Sequence, residues 1–135
     1  MEIVFATNNE HKLKEIRDIL GNSINIRSLM DIDCFEEIPE EQDSLEGNAR
    51  QKAEFVYKKF GKNCFADDTG LEVDALDGRP GVHSARYAGP EQDAQKNINK
   101  LLEEMQGKTN RRARFKTVIS LFLNNMYYTF EGCIE

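Results

Sequence analysis

Glu2-Ile3-Val4-Phe5-Ala6-Thr7-Asn8-Asn9-Glu10-His11-Lys12 decides the fold class. A short apolar run suited to a buried strand gives way to a polar turn. Leu13, Ile16, Ile19 and Leu20 then repeat at helical spacing as far as Gly21, which can take the left-handed conformation that ends a helix. Strand, turn and helix in that order predict an α/β unit. The turn also has chemistry: unpaired N–H groups and the positive end of a helix dipole make an anion site, and Lys12 adds a full charge in the first helical turn. Phosphate is the natural guest, although Thr7 and Asn9 also suit simple helix capping.

Outward from that stretch the elements alternate without repeats or an evident linker. Ile24 to Leu29 can form a second strand, and Asp31 to Asp43 reads as a short helix followed by an exposed loop around Pro39. Ser44 is placed to start a long helix whose Leu45, Ala49, Ala53, Val56 and Tyr57 keep helical spacing up to Gly61. A third strand is expected to end at Phe65-Ala66, and Leu71 to Leu76 alternates as a separate half-exposed strand. Gly78, Pro80, Gly81, Gly89 and Pro90 mark the stretch from Asp77 to Pro90 as a structured loop. Ile98, Leu101, Leu102 and Met105 predict the buried stripe of another helix. Ala113 to Leu123 and Met126 to Ile134 read as strands joined at Asn124-Asn125, with Phe115, Val118, Phe122 and Phe130 in the core.

Between the third and fourth of these strands lies Asp67-Asp68-Thr69-Gly70. Two carboxylates at the end of an apolar run supply the hard oxygen ligands that Mg²⁺ prefers, usually together with phosphate oxygens and water. The same four residues are also good turn formers.

Composition narrows the setting. The chain has 135 residues, enough for one domain of ordinary size, and a net charge of -6, which gives no general attraction to nucleic acid polymers or anionic membranes. A phosphate ligand must therefore be held by a local cluster. Cys34, Cys64 and Cys133 lie far apart without C-x-x-C spacing, which predicts reduced thiols rather than disulfides or zinc. No apolar run approaches membrane-spanning length and the first residues lack the pattern of a signal peptide, so the expectation is a cytoplasmic protein.

Four ordered motifs carry a resemblance: Thr7-Asn8-Asn9-Glu10-His11-Lys12, Leu45-Glu46-Gly47-Asn48-Ala49-Arg50-Gln51-Lys52-Ala53, Ala66-Asp67-Asp68-Thr69-Gly70-Leu71, and Pro80-Gly81-Val82-His83-Ser84-Ala85-Arg86-Tyr87-Ala88-Gly89. Together they resemble the inosine triphosphate pyrophosphatase family, which hydrolyses non-standard purine nucleoside triphosphates. The resemblance spans the whole chain. It implies a long twisted mixed sheet flanked by helices, in two lobes with a nucleotide cleft between them. It implies hydrolysis of ITP, dITP or XTP to the monophosphate and pyrophosphate, with Mg²⁺ as cofactor and a homodimer as the assembly.

By the same resemblance Asp68 is the proton acceptor and a metal ligand, and Asp67 supports the metal or holds Asp68. Glu40 or Glu41 supplies a further acidic group near the metal. Thr7, Asn8, Asn9 and Lys12 cradle the triphosphate, Lys52 approaches from the long helix, and Thr69 matches a substrate-contacting hydroxyl. Arg86 could meet phosphate or a partner subunit, or form a structural ion pair. The Arg111-Arg112-Ala113-Arg114 cluster is expected to balance nearby carboxylates.

The family pattern goes on to a glycine-rich F-G-x-D-P segment and a later S-H-R segment that help select the base, whereas this sequence ends at Cys133-Ile134-Glu135. The expectation is a domain lacking the family's C-terminal portion, with a catalytically incomplete nucleotide- or metal-binding unit as the alternative function. An aspartyl-phosphate protein fits less well, because the D-x-D-G-T spacing is missing. Neither a P-loop nor a G-x-G-x-x-G fingerprint is present.

Overall fold

The computed structural model describes residues 1–135. Three parallel strands come first in the sequence, β1 (Glu2–Phe5), β2 (Asn25–Arg27) and β3 (Cys64–Val73), with β1 between the other two. The helix α1 (Glu10–Leu20) follows β1 and α2 (Leu45–Phe60) precedes β3. The short β4 (Arg79–Gly81), the helix α3 (Ala94–Glu104) and the hairpin β5 (Ala113–Leu123) and β6 (Met126–Ile134) complete the chain. The six strands make one mixed sheet in the order β2-β1-β3-β5-β6, with β4 also paired to β3. This is the mixed α/β fold, a sheet flanked by three helices.

β3 is the spine. On one edge it pairs antiparallel with β5 along its whole length, from Cys64 opposite Phe122 to Val73 opposite Ala113. On the other edge it pairs with β1 only at Cys64 and Phe65, and with β4 only at Leu71, Glu72 and Val73. Asp67 and Asp68 lie in the interval where that edge has neither neighbour. The acidic pair therefore does not end a strand, as its turn chemistry predicts, because pairing with β5 carries the extended backbone straight through it. The residues expected as a separate fourth strand instead end β3 at Val73 and continue as a 3₁₀ turn, Asp74–Leu76.

Gly70 shows why the crossing onto β4 needs glycine: a Cβ there would sit 2.3 Å from the Gly81 carbonyl oxygen. The loop predicted from Asp77 to Pro90 thus contains β4 and another 3₁₀ turn, Ser84–Arg86.

One face of the sheet is covered by α2, which opens on a Ser44 cap accepting from the Gly47 N–H and closes on left-handed Gly61. Its Ala49, Ala53 and Val56 are fully buried, and small side chains let the helix lie close on Ala66, Cys64 and Val118. Burial of a valine side chain is worth about 1.5–3 kcal/mol. α1 covers part of the opposite face, where Leu13, Ile16 and Leu20 pack on Ile3, Phe5 and Ile26. Ile19, expected in that stripe, is 77% exposed, since the helix rests on only two or three strands and the stripe it needs is narrow.

Several expected elements are shorter. The second strand covers only Asn25–Arg27, because Leu29 turns into the core ahead of a 3₁₀ turn, Met30–Ile32. The acidic stretch beyond it is not helical, yet Cys34 and Ile38 anchor it in the core. In α3, Met105 just after the helix is the buried anchor, against Val73 and Leu76, while Ile98 and Leu102 are exposed.

The hairpin also corrects the predicted core. Val118 is buried against α2 and Phe122 packs on Tyr57, but Phe115 and Phe130 lie open. They share the face of β5 and β6 turned away from α2, beyond the reach of α1, with Met126, Tyr128 and Ile134. The turn itself is as expected: Asn124 and Asn125 both take positive φ, as a two-residue hairpin requires.

Candidate active site

A cavity of about 380 Å³ opens between the β1 end of the sheet and the β4 side. Its floor is the interval of β3 that has no neighbour on that edge. Successive side chains on a strand face opposite sides, and the acidic pair obeys this rule. Asp68 faces α2 and lines the cavity. Asp67 faces α1, where Lys12 Nζ donates to its Oδ2 at 2.9 Å.

The N-terminal turn brings the next group. Thr7 Oγ1 accepts from the Asn9 N–H at 3.1 Å, and Asn9 Oδ1 accepts from the Lys12 N–H at 3.1 Å, so both cap α1. Thr7, Asn8, Asn9 and Lys12 also line the cavity, and capping and lining turn out to be compatible roles for one turn.

From α2 come Asn48 and Lys52, one turn apart on the same helical face. Asn48 is only 2% exposed; its Oδ1 accepts from the Gln42 N–H at 2.9 Å, which ties the acidic loop to the helix. Lys52 Nζ lies 2.7 Å from Glu40 Oε1. Glu40 therefore faces the cavity, whereas Glu41 does not: its N–H and carboxylate are both taken by the Gln51 side chain on the outer surface. Thr69 lines the cavity and its hydroxyl shares a 2.8 Å hydrogen bond with that of Thr117.

Burial pushes the Asp68 carboxyl above the usual carboxylate range, and the charges of Glu40 and Asp67 add to the rise. Lys52 and a hydrogen bond from Asn48 pull it partly back. Asp68 Oδ2 and Asp67 Oδ1 are both buried without a hydrogen-bond partner. Such atoms are rare in folded proteins, and here two of them occur in one motif at a cavity. No group of three or more His, Cys, Asp or Glu side chains is arranged to enclose a metal ion. What the site offers is hard oxygen ligands in small number among cations, an arrangement suited to an ion that completes its shell with phosphate and water.

The sequence pattern of the Ham1 family matches residues 3–135. The chain belongs to the Ham1 family. Among its Ham1 relatives, the dITP/XTP pyrophosphatase of Flavobacterium johnsoniae is 56% identical over 132 residues, covering 98% of this chain and 69% of that protein. The dITP/XTP pyrophosphatase of Bacillus subtilis is 44% identical over 138 residues, covering 99% of this chain and 70% of that protein. The solved Ham1 protein of Staphylococcus aureus superposes with a TM-score of 0.91 at 36% identity, over 99% of this chain and 70% of that one.

Within this Ham1 chain the polar residues Asn48, Arg86 and Gln92 also line the cavity. Asn48 stands inside a quoted motif, and its position one helical turn before Lys52 is the signal that could have found it. Arg86 lines the cavity and donates to the Glu40 carbonyl oxygen at 3.3 Å; it forms no ion pair, contrary to one of the readings left open for it. Gln92 takes a positive φ of 55° at the rim, for which the sequence gives no warning. His83, beside Arg86, is exposed and outside the cavity. Of the arginine cluster, Arg114 pairs with Glu72 and Asp74 as expected, whereas Arg111 and Arg112 form no ion pair.

Proposed function

We propose that this chain hydrolyses non-standard purine nucleoside triphosphates, with ITP, dITP and XTP as the substrates, to the monophosphate and pyrophosphate, using Mg²⁺. The observation that carries the reading is Asp68: a carboxylate whose proton affinity burial raises, with one buried oxygen unpartnered, in the lining of a cavity that Lys12 and Lys52 also line. Membership of a family that includes dITP/XTP pyrophosphatases 56% and 44% identical to this chain supports the substrate class.

Asp68 takes the proton of the attacking water as its oxygen bonds to phosphorus. The anhydride linkage between the first and second phosphoryl groups breaks, and its bridging oxygen leaves with pyrophosphate. General-base assistance of this kind contributes about 10²–10⁴-fold. Lys12 and Lys52 stand among the charges of the triphosphate and stabilise those that build up on the leaving group. Thr7, Asn8 and Asn9 shape the turn that receives the phosphates, and Thr69 contributes a hydroxyl at the floor. Asp68 and Glu40 are the oxygen donors that would hold Mg²⁺, which when bound neutralises phosphate charge and acidifies water. Asp67, turned to the other face, holds Lys12.

A homodimer belongs to the same reading, supported by the apolar face of the hairpin that lies open at Phe115, Phe130 and Ile134. The three cysteines are free and two are buried, which supports a reducing compartment such as the cytoplasm. No helix is long and apolar enough to cross a membrane.

The test is pyrophosphate release from ITP, dITP, XTP and ATP with Mg²⁺ and with EDTA, beside Asp68→Asn. Release that favours the non-standard bases, requires Mg²⁺ and disappears in the variant is the expected result. Triphosphate binding without release would instead make the chain a nucleotide-binding unit.

A further inference from the structure

Arg86 is a cation of the cavity for which the mechanism above has no use. Lys12 is engaged by Asp67 and Lys52 by Glu40, but the Arg86 guanidinium meets no carboxylate and makes one 3.3 Å bond to the Glu40 carbonyl oxygen. Its backbone is held from two sides. Ser84 Oγ accepts from the Leu71 N–H at 2.8 Å and donates to the Gly81 carbonyl oxygen at 2.6 Å, which fastens the turn to β3 directly after Gly70. From α3, Asn97 Nδ2 donates to the Ala85 carbonyl oxygen and its Oδ1 accepts from the Ala88 N–H, both at 2.8 Å. None of these bonds involves the Arg86 side chain. The turn is braced in place, and the side chain it carries into the cavity is left with free donors.

We propose that Arg86 is a third polyphosphate-binding cation, reaching the phosphate chain from the β4 side of the cleft while Lys12 and Lys52 reach it from α1 and α2. The inference rests on the reading of the cleft as a triphosphate site. A free guanidinium suits that task better than a lysine would, because its planar fork can donate two parallel hydrogen bonds to one phosphoryl group.

Tripolyphosphate, which has no base or sugar, is the probe. Its binding is measured calorimetrically with Mg²⁺ for the wild type, Arg86→Ala, Arg86→Lys and Arg86→Gln, and KM and kcat for dITP are measured on the same four proteins. Arg86→Ala should weaken tripolyphosphate binding about ten- to hundredfold, the usual scale for hydrogen bonds to a charged group. Arg86→Lys should recover part of the loss and Arg86→Gln none, since glutamine keeps a donor for the Glu40 carbonyl oxygen but has no charge. Rescue by Arg86→Gln, or unchanged binding in Arg86→Ala, overturns the proposal, and so does a wild type that does not bind tripolyphosphate. Loss of tripolyphosphate binding in Arg86→Ala together with a wild type inactive on dITP upholds Arg86 and overturns the catalytic reading alone.

Discussion

Asp67 and Asp68, neighbours in sequence, face opposite sides of β3, the first bonded to Lys12 of α1 and the second set beside Lys52 of α2. The two carboxylates therefore have different neighbours and should fail differently. Asp68→Asn is expected to lower kcat about 10²–10⁴-fold, the scale of a lost general base. Asp67→Asn should act through Lys12 and raise KM more than it lowers kcat. Steady-state pyrophosphate release from dITP separates the two, and equal effects on kcat would mean that both carboxylates act at the reacting atoms.

Lys12→Ala removes a charge from the first turn of α1 but leaves the Asn9 cap, which receives the backbone N–H of that residue. Weaker triphosphate binding with helix content intact is the expected outcome. Calorimetry with a non-hydrolysable triphosphate and far-ultraviolet circular dichroism read the two halves separately.

The raised affinity of Asp68 for its proton has a definite sign in stability. The native chain holds that proton to a higher pH than the unfolded chain does, so this residue makes folding less favourable as pH rises from the ordinary carboxylate range through the raised value. Asp68→Asn abolishes the contribution. Denaturant unfolding across that range should show the variant gaining on the wild type as pH rises; a difference that ran the other way would mean the carboxylate is stabilised by its surroundings.

Gly70→Ala pushes a methyl group against the backbone of Gly81, with 2.3 Å to its carbonyl oxygen. Overpacking of this kind costs about 1–3 kcal/mol, and here the clash meets strand backbone rather than a flexible side chain. A lower denaturation midpoint with an unchanged slope is expected.

Cys64 is fully buried, donates to the Ala53 carbonyl oxygen, and has its thiol pushed up to about 12 by burial. Cys34 is buried and Cys133 is exposed. Iodoacetamide should label Cys133 first in the native chain and reach all three cysteines only after denaturation, as read by peptide mass.

Much of this was legible in the sequence because it is local. The α1 and α2 caps and the Asn124-Asn125 turn follow from spacing, whereas the grouping of Thr7, Lys12, Lys52 and Asp68 around one cavity was implied only by the family resemblance. What was not legible depends on pairing across the sheet. Asp67-Asp68-Thr69-Gly70 has the composition of a turn, and only the partnership with β5 makes it strand. Glu40 and Glu41 could not be told apart, because Gln51 on α2 decides which of them turns outward. Phe115 and Phe130 have the composition of core residues, and their exposure is set by how far α1 extends over the sheet.

β3 also determines where the site can move. A strand paired along one whole edge and anchored at both ends of the other opens only when most of the sheet opens, so the backbone beneath Asp68 should rank among the slowest segments to exchange its amide hydrogens. The Glu40 segment lacks such a ladder and meets the site through side chains of α2 and the guanidinium of Arg86. Adjustment to substrates of different size must then come from the walls of the cleft, while the Asp68 carboxylate keeps a fixed position against which every substrate is aligned.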